Sequence, residues 1–296
     1  MSATPTHGKL IAIWRHRPNG FKGSGLNDAT WGTGYTGAAT GYFEVVIDTV
    51  AAPDKFKWRK NGGGWTTLVS ITGGAQTLSD TQTITFAATT GHALNDQWVI
   101  GNLKVEPTTE AASQAQITAA ANRILNPNAP PTWTDDGGKT VATVDYTRGL
   151  ATFNGAVGNV TVTGNNGYIP DAAMLEKMGY LIDWNAEFSV DMAEMNRAGQ
   201  HWKEALPGQA GGRGGANAYF IAEKSFMAEL LRAAVGTQRY VLLELFSWDP
   251  DQDITGDHMI CWAVISGIGL NAAINEIVKE KASFEVVGFP SFVENV

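Results

Sequence analysis

The stretch Leu181-Ile182-Asp183-Trp184-Asn185-Ala186-Glu187-Phe188-Ser189-Val190-Asp191-Met192 alternates apolar and polar side chains from Ile182 to its end. Successive side chains on a strand point to opposite faces, so Ile182, Trp184, Ala186, Phe188, Val190 and Met192 share one face. The other face carries Asp183, Asn185, Glu187, Ser189 and Asp191. Fully extended, the twelve residues span roughly 40 Å, about twice the usual strand. One face must rest on a core. The other is wet and acidic, with no cation of its own.

Working outward, the chain of 296 residues is 44% apolar and 17% charged, enough to bury one large core or two ordinary ones. Its 34 glycines suit a β-rich fold with many turns. The net charge of −8 is uneven: residues 1–101 hold eight Lys/Arg and six Asp/Glu, whereas residues 102–296 hold thirteen and twenty-three. An acidic body opposes tight nucleic-acid binding, which depends on cations neutralising phosphates. Cys261 stands alone in the apolar run Met259–Ile265, so no intramolecular disulfide forms and the thiol reads as a small buried hydrophobe. The start has no charged-then-apolar leader pattern, and no apolar stretch approaches the roughly twenty residues that span a bilayer. Synthesis and folding in a cytoplasm are expected.

Several short strands precede the long one. Lys9–Trp14 reads as a strand stopped by the basic turn Arg15-His16-Arg17-Pro18, and a glycine-rich linker runs from Gly23 to Gly41. Tyr42–Asp48, Phe56–Arg59, Thr83–Phe86 and Trp98–Ile100 read as strands of a small β-unit, with a hairpin turn at Asn61-Gly62-Gly63-Gly64. The charge break places a boundary near residue 101. Glu110–Leu125 has the apolar spacing of a short helix, and Asn126–Pro131 forces an extended path. Strands follow at Thr140–Tyr146 and Asn159–Thr163. After the long strand, Gly208–Gly215 reads as a flexible loop, and Ala218–Val235 as an amphipathic helix capped by Asn217 and stopped by Gly236. Tyr240–Trp248 and His258–Ser266 are apolar on both faces and belong at the sheet centre. Ile274–Val287 closes the chain, with Ala282, Phe284 and Val286 inward and Lys281, Ser283 and Glu285 outward. The fold class is mainly β with one flanking α-helix.

Catalytic chemistry finds little support. Gly32-Thr33-Gly34-Tyr35-Thr36-Gly37 matches the dinucleotide glycine spacing but lacks the strand before and the helix after that aim amides at a pyrophosphate. Asp249–Asp257 is rich in carboxylates, yet Ile254 and Ile260 occupy the glycine and bidentate-glutamate positions of a calcium loop, so it reads as a hairpin tip. The histidines His7, His16, His92, His201 and His258 never fall at metal-ligand spacing. Asp183 and Glu187 stand roughly 13 to 14 Å apart by strand rise, beyond the reach of a glycosidase pair. No catalytic residue, metal ligand or cofactor site emerges, and the chain is not expected to be an enzyme. Trp31, Tyr35, Tyr42, Trp58 and Trp65 offer either a core or a sugar-stacking platform.

Val160-Thr161-Val162-Thr163-Gly164, the strand from Leu181, the helix Ala218–Val235 and the ending Asn275–Gly288 together resemble the tail tube (major tail) protein family of long-tailed phages. The resemblance covers roughly residues 132–296 plus Lys9–Trp14. It implies a barrel-forming β-sandwich with a flanking helix, six copies per ring, and rings stacked into a virion tube that conducts DNA without binding it specifically. Residues 1–27 and 102–296 would form the tube core, and 28–101 an inserted decorating β-domain of a siphophage tail. Implied partners are further copies of the chain, a tape-measure protein, and tail-terminator or tail-tip proteins, with no membrane. On this reading Asp183, Glu187 and Asp191 face an acidic lumen, and the loops Glu106–Pro131 and Gly208–Gly215 order between rings. The alternative is a virion decoration or an adhesin-type carbohydrate-binding β-protein.

Overall fold

A computed structural model of the chain describes residues 12–16, 20–170, 175–177, 180–195, 204–219, 240–246, 258–271 and 279–293. The described residues are nearly all β-strand and turn, so the expected mainly β class is what the structure shows. The chain divides into two compact units: residues 1–15 with 177–296 (unit 1), and residues 16–176 (unit 2). The first strand, β1 (Ala12–His16), takes in Arg15 and His16, the first two residues of the predicted basic turn, and pairs far downstream in unit 1; Arg17 and Pro18 lie outside the described residues.

Unit 2 follows with β2 (Phe21–Lys22), β3 (Ala29–Trp31), β4 (Gly41–Thr49), β5 (Lys55–Lys60), β6 (Thr66–Ser70), β7 (Gln76–Thr77) and β8 (Thr83–Phe86). Then come β9 (Gln97–Ala111), β10 (Gln114–Ile117), β11 (Thr132–Asp135), β12 (Val141–Asp145), β13 (Leu150–Phe153) and β14 (Val160–Tyr168). The main sheet runs β12-β13-β10-β9-β4-β5-β6, with β14 and β2 also on β9, and β3-β8-β7 forms a smaller sheet. Asn61 and Gly62, both at positive φ, build the β5–β6 turn as the sequence predicts, and Lys60 O accepts from Gly63 N–H at 2.9 Å.

The fifteen residues of β9 run straight across the boundary expected at 101. What changes there is the core. Phe21, Val45, Ile47, Phe56, Ile84, Phe86 and Trp98 form one buried cluster, while Leu103, Ala115, Ile117, Leu125, Phe153, Val160, Val162 and Tyr168 form another. The buried Asn102 holds the crossing: its amide donates to Gln82 Oε1 at 3.0 Å and its oxygen accepts from Asn166 N–H at 2.9 Å. The charge break therefore coincides with a change of core inside one unit, and unit 2 continues to Glu176.

Two local expectations in unit 2 fail. Glu110–Leu125 is not a helix: β9 and β10 make a hairpin there, followed by a short 3-10 turn at Ala120–Asn122. Ala115 and Ile117 are buried at period two, and that sheet-like alternation outweighs the helical spacing of Ile117, Ala121, Ile124 and Leu125. Nor is Gly23–Gly41 a free linker. It contains β3, and the peptide groups of Gly32 and Thr36 are tied to Thr83 and Asp80 at 2.9 and 2.8 Å.

After β15 (Leu175–Lys177) the chain forms unit 1 from β16 (Tyr180–Met195), β17 (Glu204–Tyr219), β18 (Val241–Phe246), β19 (His258–Asn271) and β20 (Lys279–Val293). The sheet order is β15-β1-β18-β19-β20-β17-β16, antiparallel wherever register is defined. As the sequence predicts, β18 and β19 are central, with Leu242 and Trp262 buried on the face opposite Leu243 and Cys261. Trp184 on β16 donates its indole N–H to the Phe246 carbonyl on β18 at 2.9 Å. Flat, those strands would lie roughly 19 Å apart, four strand spacings, so the sheet curls around its apolar face. That face holds Val241, Leu243, Leu245, Met259, Cys261, Ala263, Ala282, Phe284 and Ala216. Burial pushes the Cys261 thiol up to about 12, leaving the inert hydrophobe expected.

The flexible loop expected at Gly208–Gly215 is the middle of β17. Its glycines make room for rings. A Cβ on Gly214 would sit 2.4 Å from the Phe284 ring, and one on Gly212 would sit 2.7 Å from Phe188. Glycine there reads as a loop by composition but serves packing. Of the predicted helix Ala218–Val235, Ala218 and Tyr219 end β17, the proposed cap Asn217 is a strand residue, and residues 220–235 lie outside the described residues.

Candidate assembly surface

Polar residues of unit 1 gather where three strands run in register. Asp183 opposes Asn217, which opposes Lys281; Asn185, Gly215 and Ser283 form the next row, and Glu187, Arg213 and Glu285 the row after. Asp183, Asn185, Glu187 and Ser189 are exposed while Ile182, Trp184 and Ala186 are half-buried, so the predicted division of faces holds along this length. Phe188 departs from it, 43% exposed and edge-on to Phe292 at 6.4 Å. Asp191 lies in β16, but its side chain is outside the described residues.

Among the described side chains of β16, β17 and β20, the acidic charge of this face is offset once the neighbouring strands are counted. Arg213, assigned by sequence to a loop, stands opposite Glu187, with its Nη2 3.1 Å from the carboxylate. Lys279 and Lys281 of β20 are exposed on the same side. The carboxylates Asp183, Glu187 and Glu285 are thus matched by three cations. Asp183 also accepts from the Asn217 amide at 2.5 Å. Both partners of the Arg213–Glu187 pair are well exposed, so it sets charge balance more than stability, about 0.2 to 1 kcal/mol. The sequence carries this signal only as the β17 register, which the glycines conceal.

The rim of the sheet is its second feature. Among the described residues, β16 pairs with β17 alone, so its other side presents a row of unpaired N–H and C=O groups along a sixteen-residue edge. Beyond Gly212, which faces Val286, β17 no longer pairs with β20, whereas β16 and β17 continue together to Met195 and Glu204. A two-stranded ribbon therefore runs on past the sheet. Such a ribbon is marginal alone in water.

No family model matches the chain, and no curated protein does. It is similar to solved phage-like particles. One is the tail of an empty gene transfer agent particle refined with C6 symmetry, at 15% identity and a TM-score of 0.33, covering 41% of this chain and 88% of that one. Another is the virion of a native gene transfer agent particle, at 12% identity and a TM-score of 0.32, covering 42% and 92%.

Among the described residues, the remaining sequence candidates do not assemble into a site. Tyr35 is buried with its hydroxyl on Ala39 O at 2.6 Å, Trp31 and Trp58 pack against the first core of unit 2, and Tyr42 packs against the second. Trp65 stays at the surface, 37% exposed, with the Arg59 guanidinium 4.4 Å from its ring centre. Tyr35 shares one buried cluster with Phe43 and Ile100, against which Trp31 and Trp58 pack, so these rings form core rather than an open platform. Gly32–Gly37 leads through a bend into β4 rather than a helix. Asp249–Asp257, His7 and His201 lie outside the described residues, and among the described residues no three His, Cys, Asp or Glu converge as metal ligands. His258 stacks on Phe246 at 4.8 Å. His92 is buried between two aspartates, an arrangement that a search for metal spacing passes over.

Proposed function

We propose that this protein is the structural subunit of a phage tail tube, self-assembling through the free edge of β16 into stacked, closed rings of six that conduct DNA. The carrying observation is that edge: sixteen residues long, and continued by a ribbon that needs a partner. Joining it to the opposite rim of another copy is a head-to-tail contact, which closes into a ring when the rotation divides the circle. The chain then works as wall material rather than as an enzyme. Its partners are its own copies, a tape-measure protein and the proteins that end the tail.

The bore is lined by the face carrying Asp183, Glu187 and Asp191 together with Arg213, Lys279, Lys281 and Glu285. Among the described side chains of β16, β17 and β20 the charges balance, so DNA passing this part of the face gains little from counterion release and does not stick. Sedimentation and negative-stain microscopy of the purified protein test the proposal. Rings or tubes whose amount rises with protein concentration are expected, and a discrete monomer at every concentration overturns it.

A further inference from the structure

Three loops of unit 2 converge on one side chain: 23–28, 50–54 and 87–96. His92, buried in the third, has Nδ1 3.0 Å from Asp54 Oδ2 and Nε2 3.0 Å from Asp28 Oδ1. Both aspartates already accept from backbone N–H groups: Asp54 from Ala51 at 2.8 Å and His92 at 3.2 Å, Asp28 from Ala88 at 2.6 Å. The ring's other neighbours, Phe86 and Trp98, sit edge-on at 5.3 and 5.9 Å and do not titrate in this range. Asp96, in the same loop, spends its carboxylate on the N–H groups of Ser24, Gly25 and Ala93.

An ionised carboxylate only accepts, and a neutral imidazole has one N–H to give. Facing a carboxylate on each side, the ring satisfies both only as imidazolium. We propose that Asp28, His92 and Asp54 form a proton-operated latch that closes these three loops when His92 is protonated and releases them when it is neutral. After proton loss, one ring nitrogen turns a lone pair on a carboxylate oxygen 3.0 Å away inside a buried site. Repulsion there replaces a charge-assisted hydrogen bond.

The test is hydrogen exchange of the Ser24, Gly25 and Ala93 amides in the full chain as pH rises, with ring nitrogen NMR reporting His92 protonation. One proton lost per opening raises the opening constant by up to about tenfold per pH unit, beyond intrinsic exchange. The amides of Ile117 and Phe153, in the second core, should not follow. Asp28→Asn supplies the decisive control. Its amide can donate to a neutral Nε2 while its oxygen keeps the Ala88 N–H, so the loops should stay protected and the pH dependence should vanish. Loop protection that ignores deprotonation of the ring, or an equal pH dependence in Asp28→Asn, overturns the latch.

Discussion

The two units end their sheets in opposite ways. In unit 2 the rims are β6 and β12, five residues each, and both pair irregularly: the register slips between Phe56 and Trp58 and between Val141 and Thr143. Leu68, within β6, sits at φ 59, which twists that rim further. Short, bulged rims resist strand addition. In unit 1 one rim is the short β15 and the other is β16, whose register shifts only beside Leu181 and Met192 and runs unbroken from Asp183 to Val190. Among the described residues, the main sheet of unit 2 is finished at its edges and the sheet of unit 1 is left open along β16. That difference teaches where a partner belongs.

The largest expected effect comes from proline at the open rim. In neighbouring variants Asn185→Pro and Ala186→Pro, one removes an N–H bonded to β17 and the other an N–H facing outward. The outward one should leave the monomer folded by circular dichroism yet abolish ring formation, whereas Val69→Pro in β6 should leave assembly intact. Loss of assembly in the β6 variant as well would erase the distinction between the rims.

Next come the rings that pack over glycine. Phe284→Ala should destabilise unit 1 by about 3–5 kcal/mol in denaturant melts. Gly214→Ala should cost about 1–3 kcal/mol, because its Cβ meets the Phe284 ring and the Asn185 carbonyl. On the polar face Gly269 has open space around a Cβ, so Gly269→Ala should be neutral or stabilise by up to about 1 kcal/mol. Equal penalties at Gly214 and Gly269 would show that packing does not explain the β17 glycines.

Charge comes third. Reversing Asp183 and Glu187 to Lys breaks the balance of the face, and assembled tubes should then retain DNA in a salt-dependent manner that wild-type tubes lack. The smallest effect belongs to unit 2. Burial opposes ionisation of Asp54, but hydrogen bonds from Ala51 and His92 outweigh it and hold the carboxyl below its ordinary 3.8. Its stabilisation is complete above that value and lost as pH falls through the lower folded one. Asp54→Asn should therefore flatten the acid limb of the melting profile.

Much of this was legible in the chain. The alternation at Ile182–Glu187, the two-faced apolar runs of β18 and β19, and the Asn61-Gly62 turn each follow from period and turn chemistry. The failures share a physical cause, since composition is local and packing is not. Gly208–Gly215 reads as loop because its partners, Phe188 and Phe284, come from other strands. Arg213 therefore goes unseen as the counterion of Glu187, and the described charges of β17 and β20 go uncounted beside those of β16. The break at residue 101 is real in charge, but β9 carries the backbone through it from one core to the next.

The central claim is that β16 is completed by another copy of the chain. A cryo-electron microscopy map of the assembled protein tests it most directly. The account predicts that β16 is hydrogen-bonded to a strand of the neighbouring subunit, with Asp183 and Glu187 facing the bore. A map in which β16 stays unpaired, or turns those carboxylates to the outer wall, would contradict it.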